Sequence, residues 1–154
     1  MKLRTSVLTL AVCLVAAGVC FAASDAQMGT WKLNEAKSTL PTKARNSTVV
    51  YSVAGDSVMV AIDGLDVNGN AVHSEWTGKF DGKDYPVTGD PTSDTRSYTW
   101  VDDHTLTFAG KKAGKVTISG KIVVSADGKT RTVTNTTTEA AGQEVTGTSV
   151  YDKQ

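Results

Sequence analysis

Four pairs in which Asp or Asn is followed by Gly punctuate the chain: Asp63-Gly64, Asn68-Gly69, Asp81-Gly82 and Asp127-Gly128. Such pairs tolerate the positive φ that tight hairpins demand, so each reads as a turn between strands. Ala54-Gly55-Asp56, Ala113-Gly114 and Ala141-Gly142-Gln143 supply further hairpin tips. The intervening segments are rich in Val, Ile, Thr, Tyr and Trp and alternate with the two-residue period of a strand. They are Gly29–Leu33, Ser47–Val53, Ser57–Asp63, Ala71–Phe80, Tyr85–Thr88, Asp94–Val101, Thr105–Ala109, Lys115–Ser125, Thr130–Glu139 and Glu144–Asp152. No stretch sustains the three-and-four apolar spacing of an amphipathic helix. Asn34–Arg45, which contains Pro41 among mixed polar residues, reads as a loop or at most one short helical turn. The fold class is therefore all-β, an antiparallel meander of about 8–10 strands. A long open sheet would expose its edges, so the meander must close into a barrel or fold over as a sandwich.

The period of two also sorts the faces. Val72, Trp76 and Phe80 share one side of their strand, and His73, Glu75, Thr77 and Lys79 the other. Val116, Ile118, Ile122 and Val124 line one side of a later strand, with Gly120 among them. Val58, Val60 and Ile62 oppose Met59, Ala61 and Asp63. The last strands are heavy in threonine, and such an interior suits a cavity holding water or an amphiphile better than a dry sandwich core.

The first residues lie outside this pattern. Lys2 and Arg4 precede an uninterrupted apolar or small stretch from Val7 to Phe21. That run is shorter than the roughly 20 residues a membrane-spanning helix needs. Cys20-Phe21-Ala22 and Ser24-Asp25-Ala26 offer small-residue cleavage sites, after Ala22 or after Ala26. The layout is that of a cleavable export signal over residues 1–22, followed by one domain over 23–154 and a periplasmic or secreted destination. Cleavage would remove both cysteines, Cys13 and Cys20, so the exported domain is expected to hold no disulfide and no catalytic or metal-binding thiol. It would also remove Lys2 and Arg4 from a balance of 16 basic and 16 acidic residues. A nearly neutral domain has no electrostatic claim on nucleic acid or on an anionic membrane.

Gly29-Thr30-Trp31-Lys32-Leu33 resembles the opening of the calycins, the superfamily of lipocalins and fatty-acid-binding proteins, whose barrels begin with Gly-x-Trp. Gly147-Thr148-Ser149-Val150-Tyr151-Asp152-Lys153 is similar to the closing Thr-Arg-x-Tyr-Glu-Lys strand of the fatty-acid-binding proteins. With Asn34 added, the opening also resembles exported bacterial lipocalin-like proteins. The resemblance implies a calycin-like barrel with a ligand cavity. It further implies that Trp31 plugs the closed end beneath a late-strand basic residue, for which Arg131 is the candidate. Two departures stand out. Asn34–Arg45 is too short for the helix–turn–helix lid of the intracellular members, and Ser149 occupies the position of their carboxylate-clamp arginine, although Tyr151 remains.

The candidate ligand-binding residues are Tyr51, Trp76, Arg96, Tyr98, Trp100, Arg131 and Tyr151. Arg96, Tyr98 and Trp100 alternate on one face. Pointing inward, they set a cation among aromatic rings, suited to a carboxylate or phosphate; pointing outward, they form a surface stripe with Val101 facing the core. Arg131 shares its face with Val133 and Asn135 and poses the same question. His73 and Glu75 lie together on one face but lack a third ligand, so no metal is implied. Asp102-Asp103-His104 reads as a turn, and as an acid–base group it lacks a recognisable nucleophile. Asn46-Ser47-Thr48 and Asn135-Thr136-Thr137 match the glycosylation acceptor pattern.

These features point to an exported protein that needs no cofactor.

 They describe a monomeric binding protein that holds a small hydrophobic or amphipathic molecule in its barrel and performs no chemistry. Two alternatives fit the same residues. One is a structural or protein-interaction domain of the cell envelope, and the other is an isomerase or hydrolase built on a calycin-like barrel.

Overall fold

The computed structural model describes residues 26–139 and 141–154; the segment read as an export signal lies outside them. Ten strands follow in order: β1 (Gly29–Leu33), β2 (Arg45–Ala54), β3 (Ser57–Leu65), β4 (Ala71–Gly78), β5 (Tyr85–Thr88), β6 (Thr95–Asp102), β7 (Thr105–Lys112), β8 (Lys115–Val124), β9 (Thr130–Thr138) and β10 (Glu144–Lys153). Each pairs antiparallel with its sequence neighbours, and β1 pairs with both β2 and β10, so the meander closes into a barrel. Among the described residues, closure leaves no unpaired sheet edge. The β1–β2 connection holds one 3-10 turn, Glu35–Lys37, where the Asn34 side-chain oxygen accepts from the Lys37 amide.

Alternation decides what each strand buries. On β4, Ser74 and Trp76 are buried while His73, Glu75 and Thr77 are exposed. On β8, Ile122 and Val124 are buried between exposed Lys121 and Val123. Hairpin chemistry follows the expected residues at most joints. Ala113 and Gly114 both have positive φ (47° and 77°), the conformation that matches a two-residue turn to the twist of its strands.

Two expectations from the sequence need correction. Asp63-Gly64 is not a turn: both residues belong to β3, and the chain reverses later, where Asp66 Oδ1 accepts from the Asn68 and Asn70 amides. Gly64 is required for close approach, since a Cβ there would collide with the Arg45 carbonyl beside the β2 bulge. Val116 does not share the inner face with Ile118. The β7–β8 register slips between Gly110 and Lys111, and Val116 is left 51% exposed. One inserted residue reverses the facing of everything beyond it.

The barrel is filled at one end and hollow at the other. At the filled end, Trp31, Leu106 and Val124 are buried, and residues 26–28 fold beneath them. The Trp31 indole donates to the Gln27 carbonyl at 2.8 Å. Above this lies an aromatic layer. Trp76 stacks on Phe80 at 6.1 Å and meets Tyr98 edge-on at 4.8 Å, while Phe80 meets Trp100 edge-on at 5.4 Å. Each such pair contributes about 0.5–1.5 kcal/mol beyond the area it buries.

Candidate functional site

The hollow end is a cavity of about 710 Å³. Its mouth is rimmed by the β1–β2 connection (Leu40, Pro41, Thr42), the β3–β4 turn (Asp66, Val67, Asn68) and the β5–β6 loop (Gly89, Asp90, Pro91, Thr92). Deeper in, Tyr51, Arg96, Tyr98, Arg131 and Tyr151 line the wall, so five of the sequence candidates meet in one space. The face carrying Arg96 and Tyr98 therefore points inward, and Val101 is 60% exposed.

Trp76 and Trp100 do not line the cavity and are removed from the binding set. Both belong to the aromatic layer, where the Trp76 indole donates to the Arg96 carbonyl at 2.9 Å. Arg131 does not cover Trp31 either. The cation over that indole is Lys153, 5.1 Å from the ring centroid, because Lys153 is the register partner of Trp31 across β1–β10.

The cavity's arginines differ in their partners. Arg45 at the rim pairs with Glu35 at 3.1 Å. Arg96 donates through Nη2 to Asp90 Oδ2 at 2.6 Å, with both side chains about nine-tenths buried. Asp90 is itself fixed, since its other oxygen accepts from the Thr92 amide and hydroxyl. Burial works against the Arg96 charge, but Tyr98 and Asp90 outweigh it and hold the guanidinium pKa above its ordinary value. Arg131 is different. It is 3% exposed, it has no carboxylate partner among the described residues, and its Nε and Nη1 are buried without a hydrogen bond.

What surrounds Arg131 is aromatic. Its Nη2 donates to the Tyr51 hydroxyl at 2.7 Å, and its guanidinium carbon lies 4.8 Å from the Tyr51 ring centroid and 5.4 Å from that of Tyr151. Tyr151 is its register partner on β10. Burial pushes the Tyr51 phenol well above its ordinary pKa against the opposing pull of Arg131, and raises Tyr151 in the same way. Both are therefore neutral at physiological pH. The Tyr51 oxygen accepts from Arg131, which leaves its proton to donate into the cavity.

No family model and no curated protein matches the sequence. Among solved structures, a redesigned β-barrel, mFAP1, bound to DFHBI is 16% identical over 86% of this chain and 98% of its own, with a TM-score of 0.46.

The other residues that the sequence singled out are spread over the barrel. His73 is exposed on the outer wall, with Nδ1 2.7 Å from Asp63 Oδ1 and Nε2 3.4 Å from Glu75 Oε1; these bonds raise its pKa. Asp102 and His104 form the β6–β7 turn, where the Asp102 carboxylate accepts from the His104 amide. Asn135 faces the cavity. Sequence reasoning missed Asp90, which sits in a loop where no period marks its direction. It also missed Thr137 and Ser149 as lining residues, although counting by two from Arg131 and back from Tyr151 reaches both.

Proposed function

We propose that this protein is a binding protein that holds one small amphipathic molecule inside a calycin-like barrel, head inward, without transforming it. The carrying observation is Arg131, a buried guanidinium with two unpartnered nitrogens on the wall of a 710 Å³ cavity. A buried charge without a counterion is costly, and an anionic head group would relieve that cost. Ile62, Leu65, Val72, Ile118 and Val133 offer apolar surface to the rest of the molecule.

A binding role accounts for these groups better than chemistry does. Arginine does not give up its proton, so Arg131 stabilises an anion but cannot act as a base. The Asp90 carboxylate is committed to Arg96 and Thr92. We further propose export, on the strength of Lys2, Arg4 and the apolar stretch that follows. A monomeric state is supported by the closed sheet, which offers no edge for pairing.

Calorimetric titration with dodecanoate at neutral pH tests the reading. Saturable binding of one molecule per chain is expected, and a Val133→Trp variant that narrows the lumen beside Arg131 is expected to weaken it sharply with the β circular dichroism retained. Absence of saturable binding, or binding unchanged in Val133→Trp, would overturn it.

A further inference from the structure

The cavity wall is chemically uneven along its depth. On β9 the residues that line it are Arg131, Val133, Asn135 and Thr137. The Asn135 amide nitrogen donates to Thr137 Oγ1 at 3.3 Å, and its carbonyl oxygen has no hydrogen-bond partner among the described residues. Ser149 adds a hydroxyl from the adjoining strand. Across the lumen, by contrast, Ile62 and Val72 present hydrocarbon.

The inner face of a barrel strand is where apolar side chains contribute most to stability, so Asn135 and Thr137 forgo burial energy that Val or Leu would supply. Polar groups kept at such positions against the interest of the fold are characteristic of a site. Arg131 and Asn135 are four residues apart on one strand, a separation of roughly 13 Å. The cavity thus has a cationic point at depth and a hydrogen-bond acceptor nearer the mouth, with hydrocarbon between and opposite them.

We propose that the ligand is a singly charged organic anion whose body carries a hydroxyl at the end remote from the charge. This deepens the binding reading above and rests on it. The charge is neutralised at Arg131, and the hydroxyl donates to the Asn135 carbonyl oxygen while accepting from Thr137 or Ser149. A single charge follows from the pairing of Arg96 with Asp90 and of Arg45 with Glu35, which leaves Arg131 as the one lining arginine without a carboxylate partner among the described residues. A plain alkyl chain would leave the Asn135 acceptor facing hydrocarbon, at a penalty of the size of a lost hydrogen bond.

The test is a paired titration of the full chain with dodecanoate and ω-hydroxydodecanoate. The hydroxyl makes the second compound better solvated in water, so on burial alone it would bind more weakly. The wild-type protein is expected to prefer it by about tenfold, the value of one net hydrogen bond. Asn135→Leu is expected to reverse the preference while still binding dodecanoate, with thermal stability equal or higher. Asn135→Asp, which keeps an acceptor oxygen in place, is expected to retain the preference. Equal or tighter binding of dodecanoate by the wild type would overturn the inference and leave the binding reading standing, as would a preference that survives in Asn135→Leu. Failure of both compounds to bind the wild type would overturn the binding reading and this inference with it.

Discussion

Arg131 and Tyr51 meet inside the barrel with the guanidinium Nη2 2.7 Å from the phenol oxygen, although 80 residues separate them in the chain. The bond satisfies one nitrogen of a cation that burial penalises and leaves Nε and Nη1 unpaired. Arg131 therefore costs stability in the empty protein. Arg131→Met, which keeps the volume and removes the charge, is expected to stabilise the fold by about 1–3 kcal/mol. Urea unfolding checks this; a loss of stability in the variant would show that Arg131 serves the fold.

The Arg96–Asp90 pair makes the opposite prediction. Each partner is buried and their opposite charges pair, although Arg96 Nε has no hydrogen-bond partner among the described residues, so removing one strands a charge. Asp90→Ala is expected to destabilise by about 3–5 kcal/mol, and the double variant Asp90→Leu/Arg96→Met to recover most of that loss. A double-mutant cycle measures the coupling; independent, additive effects would contradict it.

Trp76 is expected to act through packing and one hydrogen bond. Trp76→Phe keeps a ring in the aromatic layer but removes the donor to the Arg96 carbonyl, at a cost of about 1–3 kcal/mol. Because Trp76 lies behind Tyr98 and not on the cavity wall, the variant should bind dodecanoate with nearly wild-type affinity. A large loss of affinity at unchanged stability would return Trp76 to the binding set.

Tyr51 and Tyr151 supply a pH dependence. Their phenols titrate above the ordinary value of 10.0 in the folded protein because burial disfavours the phenolate. The folded state then holds protons that the unfolded chain releases. Their contribution to stability is complete below about pH 10 and is lost as pH rises beyond it. Tyrosinate absorbance followed together with unfolding should show these two residues ionising late and stability falling above pH 10. Tyr51→Phe should flatten that fall.

The strands were legible because their alternation and turn residues are local signals. β1 and β5 end where the pattern places them, and Ala113-Gly114 adopts the backbone its composition suggests. Asp63-Gly64 misled because the same pair also serves where two backbones approach closely inside a sheet, a fact set by Arg45 on another strand. Val116 misled because a bulge changes the facing without marking the sequence. At the site, the direction of Arg96 could not be read from its own strand. Its burial depends on Asp90, a loop residue, and charge pairing of that kind appears only in three dimensions. The cation over Trp31 was misassigned for a related reason: register across the closing β1–β10 seam, not residue type, places Lys153 there.

The central claim is that Arg131 binds an anionic head group inside the barrel. Its most direct test is a comparison of dodecanoate with dodecyltrimethylammonium on the wild-type protein and on Arg131→Met. The account predicts saturable one-to-one binding of dodecanoate by the wild type, at least a tenfold loss in Arg131→Met, and no comparable binding of the cationic amphiphile. Equal affinity for the two amphiphiles, or dodecanoate binding unchanged in Arg131→Met, would contradict it.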